Sequence, residues 1–421
     1  MNSAPRISQH EQQHGQQGRR QALQLLACCV IGFTCFLGAY MRIPVLPLLA
    51  SGIGATTAQV GLINAGFMLS AGVLAVPSGL LSDRVGIRPV LLAGLALMSC
   101  ASLLIPFTGS WLALGAVYRV FGVGLAALTP TMMSSVARVV PASHVGRAYS
   151  WYTTAVYLAM TIGPAAGGWF GRSLGFRRVF FVSGGLIVAA LLAVLAFLPR
   201  DRRESETQAM TLSQRLAGAM SNRRLLAALA GTLGGCFGFG MFISFLPLHA
   251  RAVGLEVEQI GIVFAAQALV NVLLRVPLGH LSDRADRGVM SSAGLLLCAL
   301  ALGITGFSGS LATLILCAAL LGAGMGLTFT AISSLVAVAM PPGQRGLGMG
   351  LYNSCIYLGM MLSSAIMGMV ISRTSYGTGF LIAGIVTFIT AALFLYLYRV
   401  SIIRFNQDEE QRHMGELAPK P

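Results

Sequence analysis

Apolar runs of about 20 residues or more, each long enough to cross a hydrocarbon core as a helix, recur along this chain from one end to the other. Nothing else in the sequence restricts the fold as tightly. In lipid a backbone must satisfy its own N–H and C=O groups, and a helix does so within a single segment. Counting runs between turn signals gives twelve spans. The first six lie at about 22–49, 57–80, 89–107, 111–138, 146–170 and 178–198. The second six lie at about 226–249, 257–280, 290–308, 311–338, 346–371 and 377–399. The expected fold is an all-α membrane protein with two six-helix bundles, over 22–198 and 226–399, joined by a polar linker over 199–225. Residues 1–21, rich in Gln and His, are expected as a disordered tail, and 400–421 as a charged one. The apolar run after residue 21 lacks a cleavage site and reads as the first span, not as a removed signal.

Only 10% of the residues are charged, yet the formal net charge is +15. Nucleic-acid domains gather basic residues on one face. Here they are scattered over short loops between apolar helices, which excludes that partner and reports orientation instead. Of 28 Lys and Arg, five (Arg172, Arg177, Arg178, Arg251 and Arg373) fall on one side and three (Arg42, Arg119 and Arg275) lie inside spans. The other 20 share a side with both termini and the linker. The positive-inside rule therefore predicts cytoplasmic termini and a multi-pass protein of the inner membrane. All eight cysteines fall in apolar segments without metal-ligand spacing, which predicts free thiols packed as small hydrophobes and no metal site.

Sliding the chain against itself by 200 residues aligns GLLSDR at 79–84 with GHLSDR at 279–284. The register holds well beyond that hexapeptide. Pro47, Gly54, Gly61, Pro77, Gly122, Gly124, Pro141, Tyr152 and Tyr157 meet Pro247, Gly254, Gly261, Pro277, Gly322, Gly324, Pro341, Tyr352 and Tyr357 without a gap. The chain is a duplicated six-helix unit, so the two bundles are pseudo-symmetric. A site between two such halves opens to either side as one rocks against the other, which is how secondary transporters work.

Over about residues 22–399 these features resemble the major facilitator superfamily. The stretch G79-L-L-S-D-R-V-G-I-R88 is similar to that family's GxLaDrxGrk signature, with Ile87 where a basic residue is usual. The resemblance implies a conformational latch. Asp83 would face the N-terminus of the eleventh span in the outward-open state, Gly79 and Gly86 would permit close approach, and Arg84, Arg88 and Arg138 would complete the charge set. Asp283 and Arg284 repeat part of it. Gly163, Pro164, Gly167 and Gly168 in the fifth span are similar to the GPxxGG signature of antiporters and drug exporters, although Ala159 replaces a usual glycine. Pro44 and Pro47 also resemble that twelve-helix drug and metabolite:proton antiporter branch. In the fourth span Arg119 precedes Gly122 by three residues where the family has four, which displaces either the Arg or the Gly face by roughly 100°.

Charges inside spans are costly and usually functional. Arg42 and Arg119 both lie roughly 10 Å below the outer ends of their spans, on helices that line the central path in the resembled family. They are expected to make its outer half electropositive, while Arg275 is expected to snorkel or to pair with Asp283. Tyr118, Gln267, Asn271, Tyr352 and Asn353, together with Tyr152, are candidates for hydrogen bonds to substrate. None of the thirteen carboxylates falls in mid-span. That argues against organic cations and for anionic, zwitterionic or hydroxyl-rich substrates held by Arg. If protons are coupled, His249 and Asp83 are the candidate carriers. With no nucleotide motif, cofactor site or nucleophile–base constellation, the expectation is a monomeric, proton-coupled antiporter exporting a small organic molecule, embedded in lipid and not an enzyme. An importer or exchanger of organic anions is the alternative, and a non-transporting receptor or scaffold the remaining one.

Overall fold

The computed structural model describes residues 4–141, 144–198, 218, 220–340 and 345–417. Side chains are described between residues 21 and 401, except at a few positions that include Asp83, Arg275, Asp283 and Arg284. The first half comprises α1 (Ala4–Met41), α2 (Leu46–Gly52), α3 (Thr57–Val85), α4 (Ile87–Leu104), α5 (Trp111–Val139), α6 (Val145–Leu174) and α7 (Phe176–Phe197). The second comprises α8 (Arg223–Ala252), α9 (Val257–Arg284), α10 (Arg287–Thr305), α11 (Leu311–Ala339), α12 (Arg345–Arg373) and α13 (Tyr376–Leu417). Because α1 and α2 are two pieces of the first span, α3 to α13 are spans two to twelve. Among the described residues, eleven spans are apolar enough along their length to be recognised by hydropathy alone. The twelfth, α6, carries Arg147, three tyrosines and the GPxxGG stretch, and takes its place by packing instead. The termini depart from expectation, since helix continues back to Ala4 and on to Leu417. Both tails are rich in Gln, Glu and Arg, which propagate a helix readily.

Local signals set the ends. Ser110, Asn222, Asp286 and Ser310 each accept a backbone N–H from the first turn of the helix they precede, and Thr56 forms a reciprocal capping box with Gln59. Gly86 (φ 101°) and Gly175 (φ 86°) reverse the chain between helices in one residue each. The first span breaks at 42–45, where Pro44 has no N–H to give. The carbonyl of Arg42 there accepts from Val45 (3.1 Å) and Leu46 (2.8 Å). The repeat supplies the control. Position 244 is Ser, and α8 runs unbroken through Pro247.

Packing reproduces the duplication helix by helix. In the first half α1 packs on α6 and α7, and α5 on α3 and α4; in the second α8 packs on α12 and α13, and α11 on α9 and α10. The halves meet along α3–α12 and α6–α9. At the far face, away from the chain termini, these seams are backbone on backbone. A Cβ on Gly168 would lie 2.6 Å from the Val257 carbonyl oxygen and 3.2 Å from Gly261 Cα, and one on Gly368 would lie 3.2 Å from Gly61 Cα. Arg172 pairs with Glu258 and Thr57 lies 3.4 Å from Tyr376 at the same face.

Within the first half, Gly163 and Gly167 of α6 press on α1 at its break, with Gly167 against the Met41 carbonyl. A Gly167→Ala methyl would overlap that carbonyl, a strain of about 1–3 kcal/mol. The variant should melt several degrees lower in a thermal-shift assay of purified protein. Gly185→Ala, whose methyl meets nothing within 4 Å, should melt as the parent does.

Candidate functional site

A cavity of about 520 Å³ lies between the halves. Arg42, Asn64 and Tyr118 line it from the first half, and Gln267, Asn271, Tyr352 and Asn353 from the second. Toward the termini face it extends past Met133, Ser333 and Met349. The glycine seams close it at the far face. Among the described residues no Asp, Glu or His lines it.

Arg42 is 2% exposed and sits at the C-terminal end of α1, where the break leaves it beside the cavity. Its guanidinium lies against the face of Phe121, with its carbon 5.3 Å from the Tyr118 ring centre and 5.8 Å from that of Phe67. Phe67 and Tyr118 stack on each other at 4.4 Å. Desolvated cation–π contacts contribute about 2 kcal/mol, less than the several kcal/mol it takes to bury an ion. Nη1 has no hydrogen-bond partner. On the opposite wall Gln267 Nε2 reaches the Met325 sulfur at 3.4 Å, and Asn271 Nδ2 donates to the Gly322 carbonyl at 3.3 Å.

Three expected site residues lie elsewhere. Arg119 is exposed on the outer flank of α5 and lies over Gly66 of α3. Gly122 keeps its seat on the Phe67 carbonyl and Gly124 on the Gly94 carbonyl. The shortened spacing was therefore absorbed by the Arg, which turned out of the lining. His249 is buried near the far face, where Nε2 approaches the carbonyls of Thr305 (3.1 Å) and Ser308 (3.2 Å). It fastens the end of α10 and does not line the cavity. Tyr152 packs its ring on Gly32 of α1. Conversely, Asn64, Tyr40, Tyr157, Tyr357 and Thr330 line the cavity and were not singled out by sequence. An Asn inside an apolar span was the available signal for the first.

Of the latch, Arg88 Nη2 donates to the Leu195 carbonyl at 2.7 Å, tying α4 to α7, while Arg84 and Arg138 are exposed and a Cβ on Gly79 would lie 3.8 Å from Pro130 Cβ. The side chains of Asp83, Asp283, Arg284 and Arg275 lie outside the described residues. All eight cysteines are free, and five are buried as expected of small hydrophobes.

Two six-helix halves, duplicated in register and packed around a central cavity whose described lining has no Asp, Glu or His, define a membrane transporter of the alternating-access class. The profile of the Major Facilitator Superfamily matches residues 28–255 and 228–415, and the chain belongs to that family. It is 24% identical over 341 residues to an uncharacterized MFS-type transporter of Methanocaldococcus jannaschii, covering 80% of this chain and 88% of that one. It is 26% identical over 379 residues to the multidrug efflux protein YfmO of Bacillus subtilis, covering 86% and 91%. Among solved structures, a bacterial homolog of the human lysosomal transporter Spinster, inward-facing and unoccupied, superposes with a TM-score of 0.77 at 16% identity, covering 92% of this chain and 98% of that one. The nucleoside transporter NupG superposes at 0.78 and 12%, covering 89% and 100%.

With Arg119 outside the lining, Arg119→Ala should leave the KM for transported substrate unchanged, and a large rise in KM would return it to the cavity. His249→Ala should lower the melting temperature through loss of a buried hydrogen bond worth about 1–2 kcal/mol. His249→Gln, which keeps a donor, should recover most of that loss.

Proposed function

We propose that this chain is a secondary active exporter of a small polar or anionic organic molecule, coupled to protons and working by alternating access in the inner membrane with both termini cytoplasmic. Export is supported by the GPxxGG stretch, whose glycines join α6 to the α1 break on one side and to α9 on the other. It is supported also by the relatives YfmO and the quinolone resistance protein NorA of Staphylococcus aureus, the latter 22% identical over 245 residues. The substrate class rests on one observation: a buried Arg42 in a cavity whose described lining has no acidic residue. In the cycle, the far-face seams part while the termini face closes through Asp83, Arg84, Arg88 and Arg138 of the first half and Asp283 and Arg284 of the second. His249 is committed to backbone carbonyls, so Asp83 is the titrating group on this reading. The protein acts as a monomer, since each copy encloses its own cavity.

The same Arg42 favours a second reading, exchange of one organic anion for another without protons. A cation in a closing cavity needs a counter-charge at every passage. A scaffold that moves nothing has no use for a cavity of this size.

Everted membrane vesicles separate these readings. With the lumen acidified, radiolabelled 4-phenylbutyrate should accumulate several-fold over vesicles lacking the protein, and collapse of the pH gradient should abolish the difference. Accumulation indifferent to the gradient and accelerated by preloaded anion would replace antiport with exchange.

A further inference from the structure

Two buried hydrogen-bond donors without an acceptor belong to residues that line this cavity. Nη1 of Arg42 and Nδ2 of Asn64 have no hydrogen-bond partner, and their residues are 2% and 4% exposed. Both line the cavity. Their repeat equivalents 200 residues on are Phe242 and Phe264, whose rings meet edge to face at 5.1 Å. The repeat register makes positions 42 and 64 the counterparts of that aromatic pair. Phe67, one helical turn after Asn64 on α3, lies 5.8 Å from the Arg42 guanidinium. Where the second half carries two touching rings, the first carries two side chains with unsatisfied donors.

We propose that Arg42 and Asn64 form an oxyanion subsite for the single acidic group of an amphipathic organic monoanion. A guanidinium and an amide N–H together match a carboxylate, sulfonate or phosphonate, and charge-assisted bonds of this kind are the strong ones. One charge is the limit, because the described lining offers no second cation and an unpaired charge against apolar walls is costly. The remaining wall fits an apolar body: Phe239, Phe264 and Phe329 give flat faces, while Met68, Met325 and Met360 adapt to irregular shapes. The inference rests on the transport reading for its meaning and names the substrate class of that same site.

The test uses purified full-length protein and three probes with one body: 4-phenylbutyrate, 4-phenylbutanol and 4-phenylbutylamine. Ligand binding raises the melting temperature by mass action. Only the acid should raise it. Arg42→Met should melt higher than the parent when empty, because an uncompensated buried charge is removed, and should weaken the acid by at least about tenfold, the loss expected for a charge-assisted bond. Asn64→Ala should weaken the acid severalfold with no change for the alcohol. Should Arg42→Met fail to fold, Arg42→Lys keeps the charge without the planar fork and should still weaken the acid. Equal stabilisation by the alcohol, or an acid response that survives the Arg42 and Asn64 variants, overturns the subsite. Vesicle transport reads out separately. Arg42-dependent acid binding without accumulation would leave the subsite standing and remove the transport reading. Accumulation indifferent to Arg42 and Asn64 would do the reverse.

Discussion

The two halves can approach backbone to backbone only where neither carries a side chain, and the rest of this structure depends on that condition. The repeat meets it twice. Gly168 of α6 sits on Gly261 of α9, and their equivalents Gly368 of α12 and Gly61 of α3 sit on each other. Contacts this close make a seam from dispersion and small-residue packing, the interactions that hold helices together in lipid. At the glycine contacts no side chains interlock, so among the described residues opening there has the Arg172–Glu258 pair and the Thr57–Tyr376 contact to break beside it. The far face is therefore firmly closed, yet built so that rocking can open it.

Duplication provides the frame, and divergence within the frame provides the chemistry. At matched positions the first half has Pro44, Arg42 and Asn64 where the second has Ser244, Phe242 and Phe264. Ser244 spends its hydroxyl on Ser364 at 2.7 Å inside a continuous helix, while Pro44 breaks the first span and leaves Arg42 at the cavity edge. The second half in turn contributes Gln267 opposite Phe67. An empty symmetric shell would have no polarity. Departures at a few equivalent positions give this cavity a donor-rich wall on one side and an amide-bearing wall on the other.

Spans, duplication and the fifth-span glycine motif were legible in the sequence because each leaves a one-dimensional trace: run length, register or a small-residue motif. Level along the helix was legible too, since rise per residue fixes it: Arg119 lies over Gly66 and Arg42 near Phe67, adjacent residues of α3. Azimuth was not. A one-residue change in spacing rotates a side chain by roughly 100°, and only the seats of Gly122 and Gly124 decide which partner turned. The burial of His249 against carbonyls of another helix was likewise invisible, because its partners, Thr305 and Ser308, are distant in sequence. The helical tails were missed for a different reason. Polar composition was taken for disorder, although Gln, Glu and Arg favour helix once a long span has nucleated it.

Arg42 also bears on how occupancy can govern movement. Its guanidinium lies among aromatic faces with Nη1 unpartnered, and further closure would withdraw it more fully from polar surroundings. An anion beside it changes that balance. Leaving a buried ion unpaired is worth about 3–5 kcal/mol, equivalent to roughly two to nearly four powers of ten in an equilibrium constant. A ligand biases a conformational equilibrium only by the difference in its affinity for the two states. On the proposed reading that difference is largest where water is most excluded, so the occluded form is the one an anion favours. A carrier that closes readily when loaded and reluctantly when empty favours anion-for-anion exchange over empty return, and that exchange requires no membrane-buried carboxylate.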